Sequence, residues 1–259
     1  MSIAQRMRYA VNIWRKDGLR ALLAALIVRS KLHASINKKF MWRSGFSYEL
    51  RFWDDWIRTQ GSPRPEKYQE RVNPDEPFLE RLIAYLPPQP EIRILDVGAG
   101  PLTNLGKKWA GKHLDITAVD ALAEDYDRIL AKYDVIPVVR TQKLEAEKIT
   151  QRFPSNSFDF VYASNSIDHV YDPEQAILQM IEVVKKGCCV VLEHYENEAV
   201  NENYSGFHQW NFSQSAEGDF LISTKSTVLN MTLKYADICT ITCKRIDPKM
   251  LATIILKKE

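Results

Sequence analysis

Ile92-Arg93-Ile94-Leu95-Asp96-Val97-Gly98-Ala99-Gly100-Pro101-Leu102-Thr103 is the stretch whose reading decides the fold. An apolar run ends at Asp96, and Gly98 and Gly100 follow at once. Glycines at this spacing mark a tight turn that brings backbone close to a ligand. A second strand, Asp115-Ile116-Thr117-Ala118-Val119-Asp120, ends on a carboxylate 24 residues after Asp96. An acid at that strand tip accepts hydrogen bonds from ribose hydroxyls, while the glycine turn makes room for the nucleoside.

A dinucleotide fingerprint would place a third glycine at position 103, where this chain has Thr103. It would also use a helix N-terminus to hold a pyrophosphate. Asp96, two places before the first glycine, would repel a pyrophosphate but suits the ammonium of an amino-acid tail. These features point to S-adenosylmethionine rather than NAD.

With those residues in place, the chain resembles the class I S-adenosylmethionine-dependent methyltransferases of small-molecule or glycan type. The resemblance covers about residues 90–195 and continues toward the C-terminus. Four pieces carry it, in order: ILDVGAG, ITAVD, LEAEKI (residues 144–149), and FDFVYASNSIDHVYDPEQAILQMIEVVKKGCCVVLEH. It implies that Asp96, Gly98, Gly100, Asp120 and Ala121 hold the cofactor, with Glu145 and Ala146 beside the adenine. Asn165 and Ser166, after the fourth strand, are expected to contact the methionine part. Leu144 and Glu145 depart from the usual Gly and Asp. Lys186-Gly187-Cys188 replaces the commoner Pro-Gly-Gly, and Gly187 is expected to supply the helix-ending turn.

From residue 91 onward apolar strands and helical patterns alternate. Strands are expected at 91–97, 115–120, 135–140, 158–164 and 188–194, with helices between them. Helix 173–186 starts properly, with Asp172 as cap, Pro173 in the first turn and Glu174 near the positive end. Such alternation means a parallel sheet with helices on both faces. Residues 237–244 and 251–257 read as two more strands around the Asp247-Pro248 turn. The expected fold is therefore α/β, a Rossmann-like, mostly parallel seven-stranded sheet with a C-terminal antiparallel hairpin and an N-terminal helical cap or arm. The Pro87-Pro88-Gln89-Pro90 run divides residues 1–88, a basic helical arm and cap, from residues 89–259, the cofactor-binding domain.

At 259 residues the chain can bury a full core, and 45% apolar content is ordinary for a globular protein. Residues 1–45 hold ten Lys or Arg and one acid, Asp17. Of the total charge of +2 that leaves −7 on the other 214 residues, so nucleic acid is not expected as a partner. Cys188, Cys189, Cys239 and Cys243 sit in apolar runs and read as reduced, buried thiols of a cytoplasmic protein. Cys239-x-x-x-Cys243 has no second pair, so it is not read as a zinc site.

The arm carries Ile3, Met7, Val11 and Trp14 at helical spacing among arginines. Its apolar run, 19–28, contains Arg20 and is about half the ~20 residues a membrane span needs. Two readings stand: a cap packed on the core or on a second copy in a homodimer, and peripheral contact of residues 1–45 with an anionic inner membrane face. The aromatic stretch 46–56 (Phe46, Tyr48, Phe52, Trp53, Trp56) has helical spacing and reads as core packing.

Methyl transfer is an in-line displacement in which alignment does most of the work, and an oxygen acceptor also calls for a base. His169, His194 and His208 are the candidates, with His194 at the end of the fifth strand expected to face the site. The segment 193–212 adds Glu196, Glu198, Glu202, Asn197, Asn201, Asn203, Tyr204, Phe207 and Trp210. That mixture suits hydroxyl-rich ligands. It could instead gather carboxylates round a divalent metal, or be a solvated loop, and no metal ligand is assigned. The expected activity is O-methylation of a sugar, nucleotide sugar or glycan precursor. A lipid or quinone methyltransferase and a non-catalytic cofactor-binding scaffold are the alternatives.

Overall fold

The computed structural model describes Val11, Arg15 and residues 38–259. Apart from Val11 and Arg15, the expected helices of residues 1–37, with the apolar run 19–28, lie outside the described residues. From residue 38 to the first strand the chain carries α1 (Lys38–Ser44), α2 (Phe46–Arg58), α3 (Pro65–Val72) and the short α4 (Glu80–Ile83). The strands are β1 (Glu91–Val97), β2 (His113–Asp120), β3 (Gln142–Lys143), β4 (Phe158–Ser164), β5 (Val184–Tyr195), β6 (Asn211–Gln214), β7 (Phe220–Ser223), β8 (Val228–Asn230), β9 (Cys239–Arg245) and β10 (Met250–Lys257). Between them lie α5 (Ala123–Lys132), α6 (Pro173–Val183), α7 (Glu198–Asn201) and α8 (Met231–Lys234).

Seven strands form one sheet in the order β3-β2-β1-β4-β5-β10-β9. β1 runs parallel to β2 and β4, and β4 parallel to β5, while β10 is antiparallel to both β5 and β9. This is the expected α/β sheet with its C-terminal hairpin. β4 sits inside the sheet and its residues from Phe158 to Ala163 are all buried. A strand covered on both faces reads as a continuous apolar run, as Phe160-Val161-Tyr162-Ala163 does. One face packs under α6 through Ala176, Ile177 and Met180, the other under α4 through Phe78 and Leu82. A separate apolar cluster joins α1, α2 and α3 to α5 through Trp42, Ile57, Tyr68, Tyr126 and Ile129. No helix among the described residues is long and apolar enough to cross a membrane.

Several local expectations are corrected. No helix follows the glycine turn, because residues 98–112 form turns and isolated bridges. Gly100, Pro101, Gly106 and Gly111 fall in that segment, and each disfavours a helix interior. The strand expected at 135–140 is irregular, with Ile136 88% exposed; only Gln142 and Lys143 pair with β2. Pro137 lacks an N–H to donate, and an exposed edge has no core face to hold the apolar residues. In the helical cap, residues 75–86 carry only the short α4, which starts after Pro77. α6 ends at Val183 rather than 186. Gly187, at φ +71°, lies four residues farther on, where the register between β4 and β5 shifts, and is no helix-ending turn. The segment after β5 builds a three-stranded antiparallel sheet, β6-β7-β8, that period-two reading did not find. All four cysteines are free; Cys239 and Cys243 are buried, Cys188 and Cys189 half-buried.

Candidate active site

The tips of β1, β2 and β4 and the helices α1–α3 enclose one cavity. At its floor the chain turns at Gly98 (φ +70°) and Gly100 (φ +65°). A Cβ at position 98 would stand 2.5 Å from the Ser166 hydroxyl oxygen, and one at 100 would stand 2.8 Å from the Trp53 ring. Both glycines are therefore required by left-handed backbone and by close approach.

Two carboxylates frame this turn. Asp120, at the end of β2, accepts the Gly100 N–H at 3.2 Å and the Leu122 N–H at 2.9 Å. Asp96 is 2% exposed and accepts the Thr103 hydroxyl at 2.5 Å. Thr103, where a dinucleotide site would have glycine, thus fixes the Asp96 carboxylate. Desolvation pushes both carboxyls up to about 6. Arg71, from α3, lies between the Trp53 and Trp56 rings at 5.5 Å from each and donates to the Leu102 carbonyl. Glu49, from α2, accepts the Trp53 indole N–H at 2.7 Å, and burial pushes it up to about 7.

On the opposite strand tips, Ser166 donates to the Val97 carbonyl at 2.9 Å, which ties β4's loop to the glycine turn. Asn165 adopts φ +50° and accepts the Tyr195 N–H at 3.4 Å. Glu147 accepts the N–H groups of Tyr171 and Asp172, both at 3.0 Å, and burial pushes it up to about 7. These bonds set the loop that carries Asp168 and His169, a 3-10 turn over Ile167–His169. His169 Nε2 is 3.2 Å from His208 Nδ1 and 3.4 Å from Asp168 Oδ2. Burial lowers His169 to about 4, which keeps it neutral near pH 7. Burial also works against a charge on His208, but the neighbouring Asp168 outweighs it and holds His208 above its ordinary value.

Of the residues singled out from sequence, the structure brings Asp96, Gly98, Gly100, Asp120, Ala121 and Ala146 to this cavity, and Asn165, Ser166 and His169 as well. Glu145 is outside its wall: Lys39 and Lys148 reach its carboxylate at 2.8 Å, and Tyr171 donates at 3.1 Å. Burial disfavours its charge, yet those partners hold it below the usual range. His208 stands behind His169 rather than at the wall. His194 does not face the cavity. Its ring packs on Phe212 and Phe220 at 4.5 and 5.7 Å, under the small sheet, and burial lowers it to about 4. The small sheet, unread in the sequence, is what covers that face of β5. Of the polar and aromatic residues expected in the segment 193–212, Phe207 reaches the cavity. Trp210 donates to the Val170 carbonyl and Glu196 pairs with Arg245, which makes both structural.

Sequence reasoning missed Glu49, Trp53, Arg71 and Trp42 as cavity residues. Helical spacing showed that α2 has a packed face, and that spacing is the same whether the face meets core or ligand. Asp168 had a visible signal, since it stands directly before His169 in the quoted motif.

Residues 95–192 match the model of a family described as a methyltransferase domain. No curated protein matches the chain. Among solved structures, the fold is similar to a SAM-dependent methyltransferase from Aquifex aeolicus, at 13% identity and TM-score 0.45, over 78% of this chain and 97% of that one. It is also similar to a protein of Pyrococcus horikoshii, at 15% identity and TM-score 0.44, over 76% and 92%. A third is DhpI, solved as its SAH complex, at 15% identity and TM-score 0.45, over 81% and 95%. At these identities no residue role is carried over from them.

Proposed function

We propose that this S-adenosylmethionine-dependent methyltransferase methylates a hydroxyl group of a sugar, a nucleotide sugar or a glycan precursor. The enzyme class and the cofactor are supported by the match of residues 95–192 and by the strand-tip acids around a glycine turn. In this reading Asp120 takes the ribose hydroxyls, and Ala121 and Ala146 flank the adenine. Asp96 and Arg71 meet the ammonium and carboxylate of the methionine tail. Ser166 and Asn165 fix the loop above it. The division into a cap, residues 1–88, and a cofactor domain, residues 89–259, belongs to the same reading, with Trp53 and Glu49 as the cap's contribution to the cavity.

One observation carries the hydroxyl acceptor: His169 stands at the cavity wall with His208 and a fully buried Asp168 directly behind it. Methyl transfer to an alcohol must dispose of the O–H proton, and a histidine cluster is the chemistry that does so near neutral pH. The Trp42, Trp53 and Phe207 faces with the Glu49 and Asn104 polar groups suit the mixed apolar and hydroxylated surface of a sugar ring.

Incubating the enzyme with methyl-labelled cofactor and a panel of nucleotide sugars, free glycans, amines and quinols tests this. Label in an O-methylated sugar is the expected result. Transfer only to an amine or a quinol would replace the acceptor while leaving the cofactor reading intact.

A further inference from the structure

We propose that Asp168, His169 and His208 form a binding site for one divalent cation of the zinc type, at the wall of the methyl-transfer cavity. Asp168 Oδ2, His169 Nε2 and His208 Nδ1 lie 3.2, 3.4 and 3.9 Å apart in pairs. A triangle with those edges has a circumscribed circle of radius about 2 Å, the length of a zinc–nitrogen or zinc–carboxylate bond. The three donors therefore already stand where one ion would touch all of them, and they form a group that could hold a metal ion.

The second observation is independent of those distances. Asp168 is 0% exposed, and neither of its carboxylate oxygens has a hydrogen-bond partner. A buried carboxylate without hydrogen bonds is unfavourable unless charge compensates it. The two imidazoles stand 3.4 and 3.9 Å from Oδ2 as ion-pair partners, but neither makes a hydrogen bond to it, so the lone pairs of both oxygens stay unused. A cation at the centre of the triangle satisfies Asp168 and uses His169 in its neutral form, which is the form that ligates metals.

The donor set also points to a kind of ion and a kind of site. Two imidazoles and one carboxylate favour zinc or another late first-row metal over magnesium or calcium. Three protein ligands leave a position open, as catalytic sites do and structural ones do not. His169 lines the cavity and brings the site to its wall. The role of the ion rests on the hydroxyl-methylation reading. With both imidazoles engaged as ligands, the ion and not a free histidine base would acidify the acceptor hydroxyl, whose proton leaves to solvent. The oxygen lone pair then forms the O–CH3 bond, while the CH3–S+ bond breaks and its electron pair neutralises the sulfonium.

The test uses full-length protein stripped with chelator, titrated with Zn2+ by calorimetry and with Co2+ by visible absorption. One equivalent per chain and Co2+ ligand-field bands are expected. Asp168→Asn and His208→Asn should each weaken binding at least about 100-fold, since even outer-sphere partners of a metal site are worth about 10–100-fold. His169→Asn serves the same purpose if Asp168→Asn fails to fold by circular dichroism. Absence of saturable binding in the wild type, or binding that the folded variants leave unchanged, overturns the site. S-adenosylmethionine is titrated into the same stripped samples. Cofactor binding without metal binding removes the cation and leaves the methyltransferase reading standing. Metal binding without cofactor binding does the reverse.

Discussion

The cavity's floor and its wall are buried alike but bonded differently. At the floor, Asp96 and Asp120 each have a donor within 3.2 Å, supplied by Thr103, Gly100 and Leu122 from the same strand-tip loops. Directly behind the wall, both oxygens of Asp168 have no hydrogen-bond partner. The floor is complete as it stands. The wall holds polar atoms that a folded protein tolerates only where something else completes them. Adjacent residues complete the floor, whereas the groups behind the wall come from separate segments and leave Asp168 unmatched.

The largest expected effect is at the wall. His169→Ala or His208→Ala should lower turnover about 10²–10⁴-fold, with S-adenosylmethionine affinity unchanged by calorimetry. Equal loss of affinity would show that wall and floor are one unit. At the floor, Gly98→Ala places a Cβ against Ser166 at positive φ and should destabilise the fold by about 1–3 kcal/mol in urea unfolding. Adding Ser166→Gly should recover part of that loss, because the clash is with one side chain. An undiminished penalty would locate the strain in the backbone alone.

The floor of this cavity was legible because it is local. Asp96, Gly98, Gly100 and Asp120 follow their own strands, and a strand end plus a glycine turn fixes where they point. The parallel sheet followed from the alternation of strands and helices for the same reason. The wall was legible only as single letters. His169 and His208 are 39 residues apart, and whether they meet depends on how the segment 196–230 folds. That segment's strands are three or four residues long, too short for a period to show. His194 was read as facing the site because β5 ends there; strand parity sends it to the face that the small sheet covers. The cavity role of α2 was hidden because Glu49 and Trp53 share the spacing of a core stripe.

Smaller effects sharpen the contrast further. Asp96 and Asp120 titrate near 6 in the folded protein, above the ordinary 3.8. Their protonated forms favour the ligand-free fold, so its stability should fall as pH rises through about 6. In the proposed pose the cofactor's ammonium needs Asp96 ionised, and the ribose hydroxyls need Asp120 ionised as their acceptor. Affinity should therefore drop below about pH 6, by on the order of tenfold per pH unit for each carboxylate required, and thermal stabilisation by cofactor should grow toward pH 7.5. A pH-independent affinity would exclude these acids from cofactor contact. The smallest change is expected at His194. His194→Phe removes an unpartnered buried nitrogen and should leave stability within about 1 kcal/mol of wild type, or raise it, with turnover intact. A loss of turnover like that of His169→Ala, at unchanged stability, would move the chemistry to the covered face of β5.

Calorimetric titration of S-adenosylmethionine into the wild type and Asp120→Ala tests the central claim most directly. One site of micromolar affinity in the wild type, weakened at least about 100-fold by loss of two charge-assisted hydrogen bonds in the variant, is the predicted result. A folded wild type that takes up no cofactor, or a variant that binds it as well as the wild type does, would contradict the account.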